Sequence, residues 1–405
     1  MSTDLRIRIV PAIADIPAKA WNACANPAVA ASACTGAESK SERETYNPFI
    51  SHEFLLALEA SGSAVARAGW QPQHLIAEDG DAVVGVVPCY LKSHSRGEYV
   101  FDAGWADAYE RAGGSYYPKL QVCVPFTPAT GRRLLVAPGP SAEAVRGALA
   151  SGLIELARLR EASSAHVTFA PESEWRLLGE RGFLQRTDQQ FHWENADYAT
   201  FDDFLNRLAA RKRKAIKRER RDAVDSDIEV VCLTGSDLTE SIWDSFFAFY
   251  METGSRKWGR PYLTRAFYSL IGQSMADRIL LVMAKRAGRF IAGAINFIGS
   301  DALYGRHWGA SEHHPFLHFE LCYYQAIDFA IRNKLARVEA GAQGEHKIAR
   351  GYMPVTTHSA HYIADPALRR AIADYLKRER AYVAAAGDEL AAMGPFRKDL
   401  IMEET

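Results

Sequence analysis

The chain has 405 residues, which is long for a single core, so two domains are the first expectation. Its 48 Lys and Arg balance 49 Asp and Glu, and a net charge of -1 creates no global field that attracts nucleic acid or membrane. Residues 1–11 carry Asp and Arg where a secretion signal needs an apolar run, and no window approaches the roughly eighteen to twenty apolar residues of a membrane span. The six cysteines are scattered, as is typical of reduced thiols, so we expect a cytoplasmic protein.

Two stretches about two hundred residues apart follow the same plan. Residues 74–90 and 280–297 each read as an apolar strand, a charged turn and a second apolar strand with an internal glycine, Gly85 or Gly293. An aromatic segment that reads as a strand follows in both, at 99–106 and 303–310. The repetition predicts a mixed α/β (α+β) fold with two similar domains, 1–195 and 196–405, and a substrate cleft between them.

In the amino-terminal half, residues 22–46 have no apolar period and read as a mobile loop. A helix begins after Ser51, which is a plausible N-cap. Residues 112–131 form an unusual loop rich in Pro and aromatics, followed by a helix over 141–161 and a strand at 166–170.

The carboxy-terminal half alternates helices and strands. We predict helices over 201–224, 237–253, 262–275, 317–333 and 365–385, and strands at 228–233, 279–298, 302–308 and 337–342. In the helix over 317–333, the residues expected to face inward are Leu321, Tyr324, Ile327 and Ile331.

The densest polar cluster is the loop 341–354, which directly follows a predicted strand. Glu345, His346, Lys347 and Arg350 lie within six positions between two glycines. Charged residues at the carboxyl end of a strand favour a functional site over a solvated turn, which is the other interpretation.

A second cluster spans residues 306–320 and contains four His. His314 and His318 have i, i+4 spacing, but Pro315 between them marks a helix start, and the zinc-protease pattern requires Glu at that place. We therefore expect no metal here. His318 and Glu320 instead fall in the first turn of a helix that faces the cleft, where free N–H groups can receive a carbonyl oxygen or a phosphate.

The run 207–221 has nine basic residues and one acid in fifteen positions. We predict that it binds phosphates, of coenzyme A or of RNA, rather than forming only a solvated helix face. The residues predicted to bind the phosphates of a cofactor are Arg211, Lys212, Arg213 and Lys214.

The loop 112–131 also contains Tyr117 and Lys119. Half-buried packing is one interpretation. The other is a substrate wall in which Lys119 contacts an acidic group.

Several catalytic motifs are missing. The chain has no Gly-x-Ser-x-Gly elbow, no Gly-x4-Gly-Lys-Ser/Thr phosphate loop, and no Gly-x-Gly-x-x-Gly that opens a helix after a strand. Kinase and dehydrogenase functions are therefore disfavoured.

Many long strings resemble the FemAB-like family of predicted N-acyltransferases, which are built on tandem GNAT-type domains. The strings lie at 47–54 (NPFISHEF), 97–102 (GEYVFD), 117–120 (YPKL), 190–193 (QFHW), 211–214 (RKRK), 257–263 (KWGRPYL), 317–325 (LHFELCYYQ) and 341–347 (GAQGEHK). The resemblance covers nearly the whole chain. It implies that the helix from 317 and the loop 341–354 line an acyl-transfer cleft.

Acyl transfer to an amine needs a base and donors for the oxyanion. Under the resemblance, Glu345 or His346 is the base, and Lys347 and Arg350 bind anionic parts of the substrates. Arg306 and His307 orient the carbonyl. No tightly bound cofactor is implied.

The resemblance implies two alternative functions, and a third comes from a different class of protein. The first is an N-acyltransferase that uses acyl-CoA or acyl carrier protein, with a lipid amine as acceptor, as in bacterial ceramide synthesis. The second is an aminoacyl-tRNA-dependent ligase that acts on a cell-wall precursor, and the third is a non-catalytic module that binds wall fragments or RNA. The basic helix 365–385 would allow peripheral contact with the inner face of the membrane.

Overall fold

The computed structural model describes residues 5–27, 46–224, 227–258, 261–341 and 344–397, without the side chains of 256–258 and 345. The strands are β1 (Leu5–Val10), β2 (Trp70–Pro72), β3 (His74–Asp79), β4 (Ala82–Val87), β5 (Cys89–Lys92), β6 (Lys119–Val122), β7 (Leu135–Val136), β8 (Ser164–Ala170), β9 (Leu184–Glu194), β10 (Ile228–Leu233), β11 (Ile279–Arg286), β12 (Arg289–Ile298), β13 (Ala302–Ala310), β14 (Arg337–Glu339) and β15 (Met353–Ile363).

The helices flank these strands. They are α1 (Ala18–Ala25), α2 (His52–Ala60), α3 (Ala103–Arg111), α4 (Ala142–Leu159), α5 (Glu172–Glu180), α6 (Phe201–Arg207), α7 (Ala210–Ala223), α8 (Glu240–Trp258), α9 (Arg265–Met275), α10 (Leu317–Phe319), α11 (Gln325–Arg332) and α12 (Pro366–Ala392), with a π-helix at Glu320–Tyr324 and a 3-10 helix at Glu345–Arg350. The predicted fold class, mixed sheets flanked by helices, is confirmed. Within the described ranges, no helix combines the length and the apolar character that a membrane span needs.

Contacts divide the chain into two compact units. One contains Met1–Asp188 and Thr357–Tyr382, and the other contains Gln189–Thr356 and Val383–Thr405. This grouping differs from the predicted division at residue 195, because residues 357–382 return to the first unit. The end of β15 pairs antiparallel with β8 there, from His358 opposite Ala170 to Ile363 opposite Ser164.

The first unit contains two sets of paired strands. One is antiparallel in the order β1-β3-β4-β7. In the other, β2, β5 and β6 are antiparallel, and β6 runs parallel to β8 after a crossover that includes α4. The apolar face of α4 fills the core between these strands with Val145, Leu149, Leu153 and Leu156.

The second unit has an antiparallel meander, β10-β11-β12-β13. A crossover through α10, the π-helix and α11 then brings β14 parallel to β13, and the end of β9 pairs antiparallel with β14. The four residues that we predicted to face inward on this crossover are all buried in the core: Leu321, Tyr324, Ile327 and Ile331.

Both predicted hairpins are confirmed, β3–β4 in the first unit and β11–β12 in the second. Their internal glycines have the same steric role. A Cβ on Gly85 would lie 2.8 Å from Val145 Cγ1 on α4, and a Cβ on Gly293 would lie 2.9 Å from Phe246 Cδ2 on α8. In each unit a helix therefore crosses the hairpin closely, where only a residue without a side chain fits.

Four local predictions need correction or qualification. The strand predicted at 99–106 is wrong, since α3 begins at Ala103 and turns Trp105 into the core. The loop 112–131 contains β6, and the helix over 201–224 is broken because Leu208 is extended and bridges to Phe396. The predicted loop 22–46 is wrong at its start, because residues 22–25 belong to α1, and most of the rest lies outside the described residues.

Candidate active site

The central opening of the second unit forms where β13 and β14 separate. They pair only from Ala302–Tyr304 to Arg337–Glu339. Beyond Glu339 the chain stays beside β9. The N–H of Ala340 donates to the carbonyl of Phe191 on β9, and the N–H of Phe191 donates to the carbonyl of Gly341. Opposite Ile295 and Asn296 of β12, the strand β13 has a β-bulge: Ile295 pairs with His307 and Asn296 with Gly305, so Arg306 is the extra residue.

The second unit has a smaller cavity at this opening and a larger one beside it, and both are lined by Trp308 and His318. The first, about 110 Å³, is lined by Ala294, Ile295, Asn296, Gly305, Arg306, His307, Trp308, His318, Cys322, Tyr323 and Ala340. The second, about 530 Å³, is lined by Thr253, Trp308, Ala310, Ser311, Glu312, His313, His314, Phe316, Leu317, His318 and Phe319. A pocket of several hundred Å³ is in the size range of small-molecule sites.

Three of the predicted site residues meet in the smaller cavity: Arg306, His307 and His318. Burial, together with the positive charge of Arg306, lowers the pKa of His307 to about 3, so its imidazole is neutral near pH 7. The ring of His318 packs against Trp308 with centroids 5.0 Å apart. The cavity thus presents the Arg306 cation beside the neutral imidazole of His307, which suits the binding of a polar carbonyl.

His346 joins the same site through Tyr323. The Tyr323 hydroxyl lies 3.0 Å from His346 Nε2, and the His346 ring packs against Phe319 and His318. Burial raises the pKa of Tyr323, so its hydroxyl stays protonated near neutral pH. The pair therefore couples an exposed imidazole to a hydroxyl in the cavity wall.

Lys347 and Arg350 have partners inside the protein. Lys347 Nζ donates to the carbonyls of Ala340 and Gly341 at 2.5 and 3.0 Å, and burial lowers its pKa to about 8. The Arg350 guanidinium pairs with Glu219 at 2.8 Å. These contacts give both residues a part in shaping the loop, and their binding of anionic substrate groups stays a prediction.

The structure describes the side chain of only one of the two acidic residues predicted for the site, Glu345 and Glu320. The side chain of Glu345 lies outside the described residues, so its role as base stays a prediction. Glu320 is buried and accepts two hydrogen bonds from Arg220, at 3.0 and 3.1 Å. Its carboxylate therefore forms an ion pair with α7.

The basic residues on α7 fall into two groups, one with carboxylate partners and one without ion pairs in the described part of the chain. Toward its end, Lys217, Arg218 and Arg221 pair with aspartates, and Arg220 pairs with Glu320 and Asp328. At its start no ion pair joins the four predicted phosphate-binding residues to the described part of the chain: Arg211, Lys212, Arg213 and Lys214. Positive charge at the first turn of a helix opposes the helix dipole, an arrangement that a bound anion would relieve.

Tyr117 and Lys119 lie in the first unit, not at this site. The buried Lys119 ammonium donates to Glu98 at 2.7 Å and also to Asp102, and these charges raise its pKa although burial lowers it. Asp102 also accepts from Ser95, whose hydroxyl lies 2.9 Å from that of Tyr117. Contact of Lys119 with a substrate stays a prediction, since two carboxylates of the protein already hold its charge.

Sequence reasoning missed part of the cavity wall, notably Asn296, Cys322 and Tyr323. The helix from Leu317 contains a π-helical turn at Glu320–Tyr324, which an apolar pattern of period 3.6 does not reveal. The adjacent Cys-Tyr-Tyr in an otherwise amphipathic helix was the available signal. Among the described side chains, no set of three His, Cys, Asp or Glu could hold a metal ion.

A family model described as FemAB-like, peptidoglycan biosynthesis/recognition, matches residues 12–398. The chain belongs to the FemAB-like family. The resemblance noted in the sequence is thereby confirmed. A comparison with curated proteins gave no match.

Solved structures with similar folds include FemX, with 12% identity over 78% of this chain and 93% of that chain, and a TM-score of 0.48. A tandem GNAT protein from the clavulanic acid biosynthesis pathway is 13% identical over 90% of this chain and 99% of that chain, with a TM-score of 0.44. L-PGS from Bacillus licheniformis is 8% identical over 82% of this chain and 98% of that chain, with a TM-score of 0.48.

Family membership supports an acyl or aminoacyl transferase connected with peptidoglycan biosynthesis or recognition.

Proposed function

We propose that this protein is an N-acyltransferase that moves an acyl group from a thioester, acyl-CoA or acyl carrier protein, to an amine. The observation that carries this proposal is the opening between β13 and β14, where Arg306, His307 and Tyr323 line one cavity. Strands that separate expose backbone groups at the point of divergence, and such groups together with fixed side-chain donors stabilise a tetrahedral oxyanion.

The residues support a balanced proton path. In the tautomer with a proton on Nε2, His346 donates to Tyr323, and its Nδ1 accepts the proton that the amine loses on attacking the carbonyl carbon. As the C–S bond breaks, the Tyr323 hydroxyl protonates the leaving sulfur and takes the Nε2 proton of His346 in return. The amide forms, the thiol leaves and Tyr323 regains its proton. His346 ends with its proton on Nδ1, and exchange with solvent at the exposed ring restores the Nε2 tautomer before the next turnover.

The larger cavity supports a donor or acceptor with an apolar part. Its walls include Trp308, Phe316, Leu317 and Phe319, and it joins the smaller cavity at Trp308 and His318. A lipid long-chain amine, as in ceramide synthesis, fits a site with aromatic walls next to the reacting carbonyl. Coenzyme A phosphates would be held by the start of α7, at Arg211–Lys214.

The second candidate is an aminoacyl-tRNA-dependent ligase that acts on a cell-wall precursor. The observation that favours it is the same group of four basic side chains at the start of α7, since a polyanion gains most from clustered cations. Both candidates share the carbonyl site and differ in the carrier of the acyl group.

The test combines product detection with protection of Cys322. Cys322 is a half-buried cysteine in the wall of the smaller cavity, whereas Cys232 is exposed and serves as an internal control. The protein is incubated with N-ethylmaleimide, with and without a non-transferable acyl-CoA analogue or uncharged tRNA, and modified peptides are quantified by mass spectrometry. Amide products are then sought with a panel of acyl-CoA donors, aminoacyl-tRNA and amines that includes a long-chain base.

Protection of Cys322 but not Cys232 by the acyl-CoA analogue, together with an N-acyl product, supports the first candidate. Protection by tRNA and an aminoacyl product support the second. Equal labelling of Cys322 under all conditions, with no amide from any donor, would overturn both.

A further inference from the structure

Glu219 is the single acidic residue in the basic run 207–221. One carboxylate among nine basic side chains is too few to neutralise the run, and its contacts indicate another role for Glu219. Its carboxylate accepts a hydrogen bond from Arg350 Nη2 at 2.8 Å. The Tyr324 hydroxyl donates to the same carboxylate oxygen. The one acid of the run is thus used to bind the loop that carries His346.

Arg350 is buried and contacts three different elements. Nη2 pairs with Glu219 on α7, and Nη1 donates to the backbone carbonyl of His346 at 2.7 Å. The guanidinium carbon lies 3.4 Å from the ring centroid of Phe319, which also packs against the His346 imidazole. Arg350 therefore binds the His346 backbone directly and contacts Phe319, the residue against which the His346 ring packs.

Adjacent tyrosines of the π-helix contact the two ends of this arrangement. Tyr323 meets the His346 imidazole at 3.0 Å, and Tyr324 meets Glu219. A π-helical turn is wider than an α-helical turn, so its side chains point in directions that differ from those of a regular helix. The π-helix, α7 and the 3-10 helix Glu345–Arg350 are consequently joined by one continuous set of hydrogen bonds.

Stability alone is a weak reason for such an arrangement. A buried ion pair gains little over a well-packed apolar pair, because removing both charges from water is costly. Arg350 Nε has no hydrogen-bond partner among the described atoms, which adds to that cost. A planar, forked guanidinium does, however, fix orientation in a way that an apolar side chain does not.

We infer that Glu219 and Arg350 are positioning residues for His346, which set its imidazole against Tyr323 and link its placement to the basic helix α7. The inference rests on the proposed function, in which His346 and Tyr323 move the proton. It adds that the phosphate-binding helix and the proton-transfer pair behave as one unit.

The test uses Glu219→Gln, Arg350→Lys and the milder Tyr324→Phe in the full chain, with Asp202→Asn as the matched control. Asp202 pairs with Lys217 on the exposed face of the same helix, with side chains 71% and 56% exposed. Misplacing a catalytic group by about 1 Å lowers turnover on the order of 100-fold. We expect kcat to fall about 100-fold in Glu219→Gln and Arg350→Lys, with KM nearly unchanged, and a smaller fall in Tyr324→Phe.

A second readout does not require turnover. Diethyl pyrocarbonate modifies imidazoles, and mass spectrometry gives the rate at His346. Loss of its support should raise that rate in Glu219→Gln and Arg350→Lys, while Asp202→Asn keeps the parent rate. Thermal unfolding curves identify any variant that fails to fold, in which case Tyr324→Phe supplies the comparison.

Folded variants with the parent kcat, the parent pH–rate profile and the parent His346 labelling rate would overturn the inference. A parent protein that transfers no acyl group from any donor would instead overturn the proposed function, while the labelling rates would still report on the positioning of His346.

Discussion

The hydroxyl of Tyr323 lies 3.0 Å from Nε2 of His346, although the two residues are 23 positions apart in the chain. One residue comes from a π-helical turn and the other from the short helix that follows β14, so the contact depends on both departures from regular structure. The same tyrosine lines the cavity between β13 and β14. This relationship makes His346 part of the site even though its ring is exposed.

Substitutions at this pair should lower turnover. We expect Tyr323→Phe and His346→Gln each to reduce kcat by about 100-fold or more, because each interrupts proton transfer, and the double variant to be little worse than either single one. Steady-state kinetics with an acyl-CoA donor measure this. His358→Gln, an imidazole of the first unit, is the control. Additive losses in the double variant would contradict a shared role.

The buried Lys347 should make stability depend on pH. Its folded pKa of about 8 is below its ordinary value of 10.5, so between these values the unfolded chain binds the proton and the folded chain does not. Stability therefore rises with pH in this window, and the burial cost is fully present below it. Compared with Lys347→Met, the parent should gain on the order of 3 kcal/mol from pH 8 to 10.5. Urea unfolding at each pH measures the difference, and parallel curves would contradict the prediction.

Gly309 should not tolerate a side chain. A Cβ there would lie 2.1 Å from the Phe249 carbonyl oxygen, so α8 must move away from β13 to accept it. We expect Gly309→Ala to lower the free energy of unfolding by about 1–3 kcal/mol. Gly104→Ala on α3 meets nothing within 4 Å and should instead stabilise by roughly 0.5–1 kcal/mol. Chemical denaturation distinguishes the two, and equal effects would refute the steric argument.

The start of α7 should control the salt dependence of donor binding. Replacing Arg211, Lys212, Arg213 and Lys214 by Gln removes four cations without ion pairs in the described ranges. Binding of tRNA or acyl-CoA, measured by titration at several salt concentrations, should weaken and lose most of its salt dependence. The control is Arg218→Gln with Arg221→Gln, since both pair with Asp222. An unchanged salt slope in the fourfold variant would exclude this surface.

Asp102 should be essential to the first unit. Its carboxylate binds Lys119, Ser95 and Tyr116, and the charge of Lys119 lowers its pKa even though burial raises it. Asp102→Asn leaves a buried ammonium short of a counter-charge, and we expect it to cost about 3–5 kcal/mol of unfolding free energy. Asp202→Asn, which breaks an exposed pair, should cost less than about 1 kcal/mol. Calorimetry of both variants measures this, and similar costs would contradict it.

Short-range patterns in the sequence predicted much of this fold. Alternating apolar residues around a charged turn were sufficient for the β3–β4 and β11–β12 hairpins, because a hairpin depends on residues close in the chain. The spacing of Leu321, Tyr324, Ile327 and Ile331 predicted the buried face of the crossover helix for the same reason. The aromatic residues at 99–106 led to a wrong prediction of a strand. Instead α3 begins at Ala103, and Trp105 packs into a core that includes residues distant in the chain.

The sequence by itself determined the class of fold, the family and the group of residues from which a site could be built, including Arg306, His307, His318 and His346. The tertiary structure alone decided which of them share a cavity, and it assigned Lys119, Glu320 and Arg350 to partners within the protein. Hydrogen bonds and ion pairs act over a few Å in space, whereas residues such as Glu219 and Arg350 are 131 positions apart in the chain. Only folding brings such groups within that range.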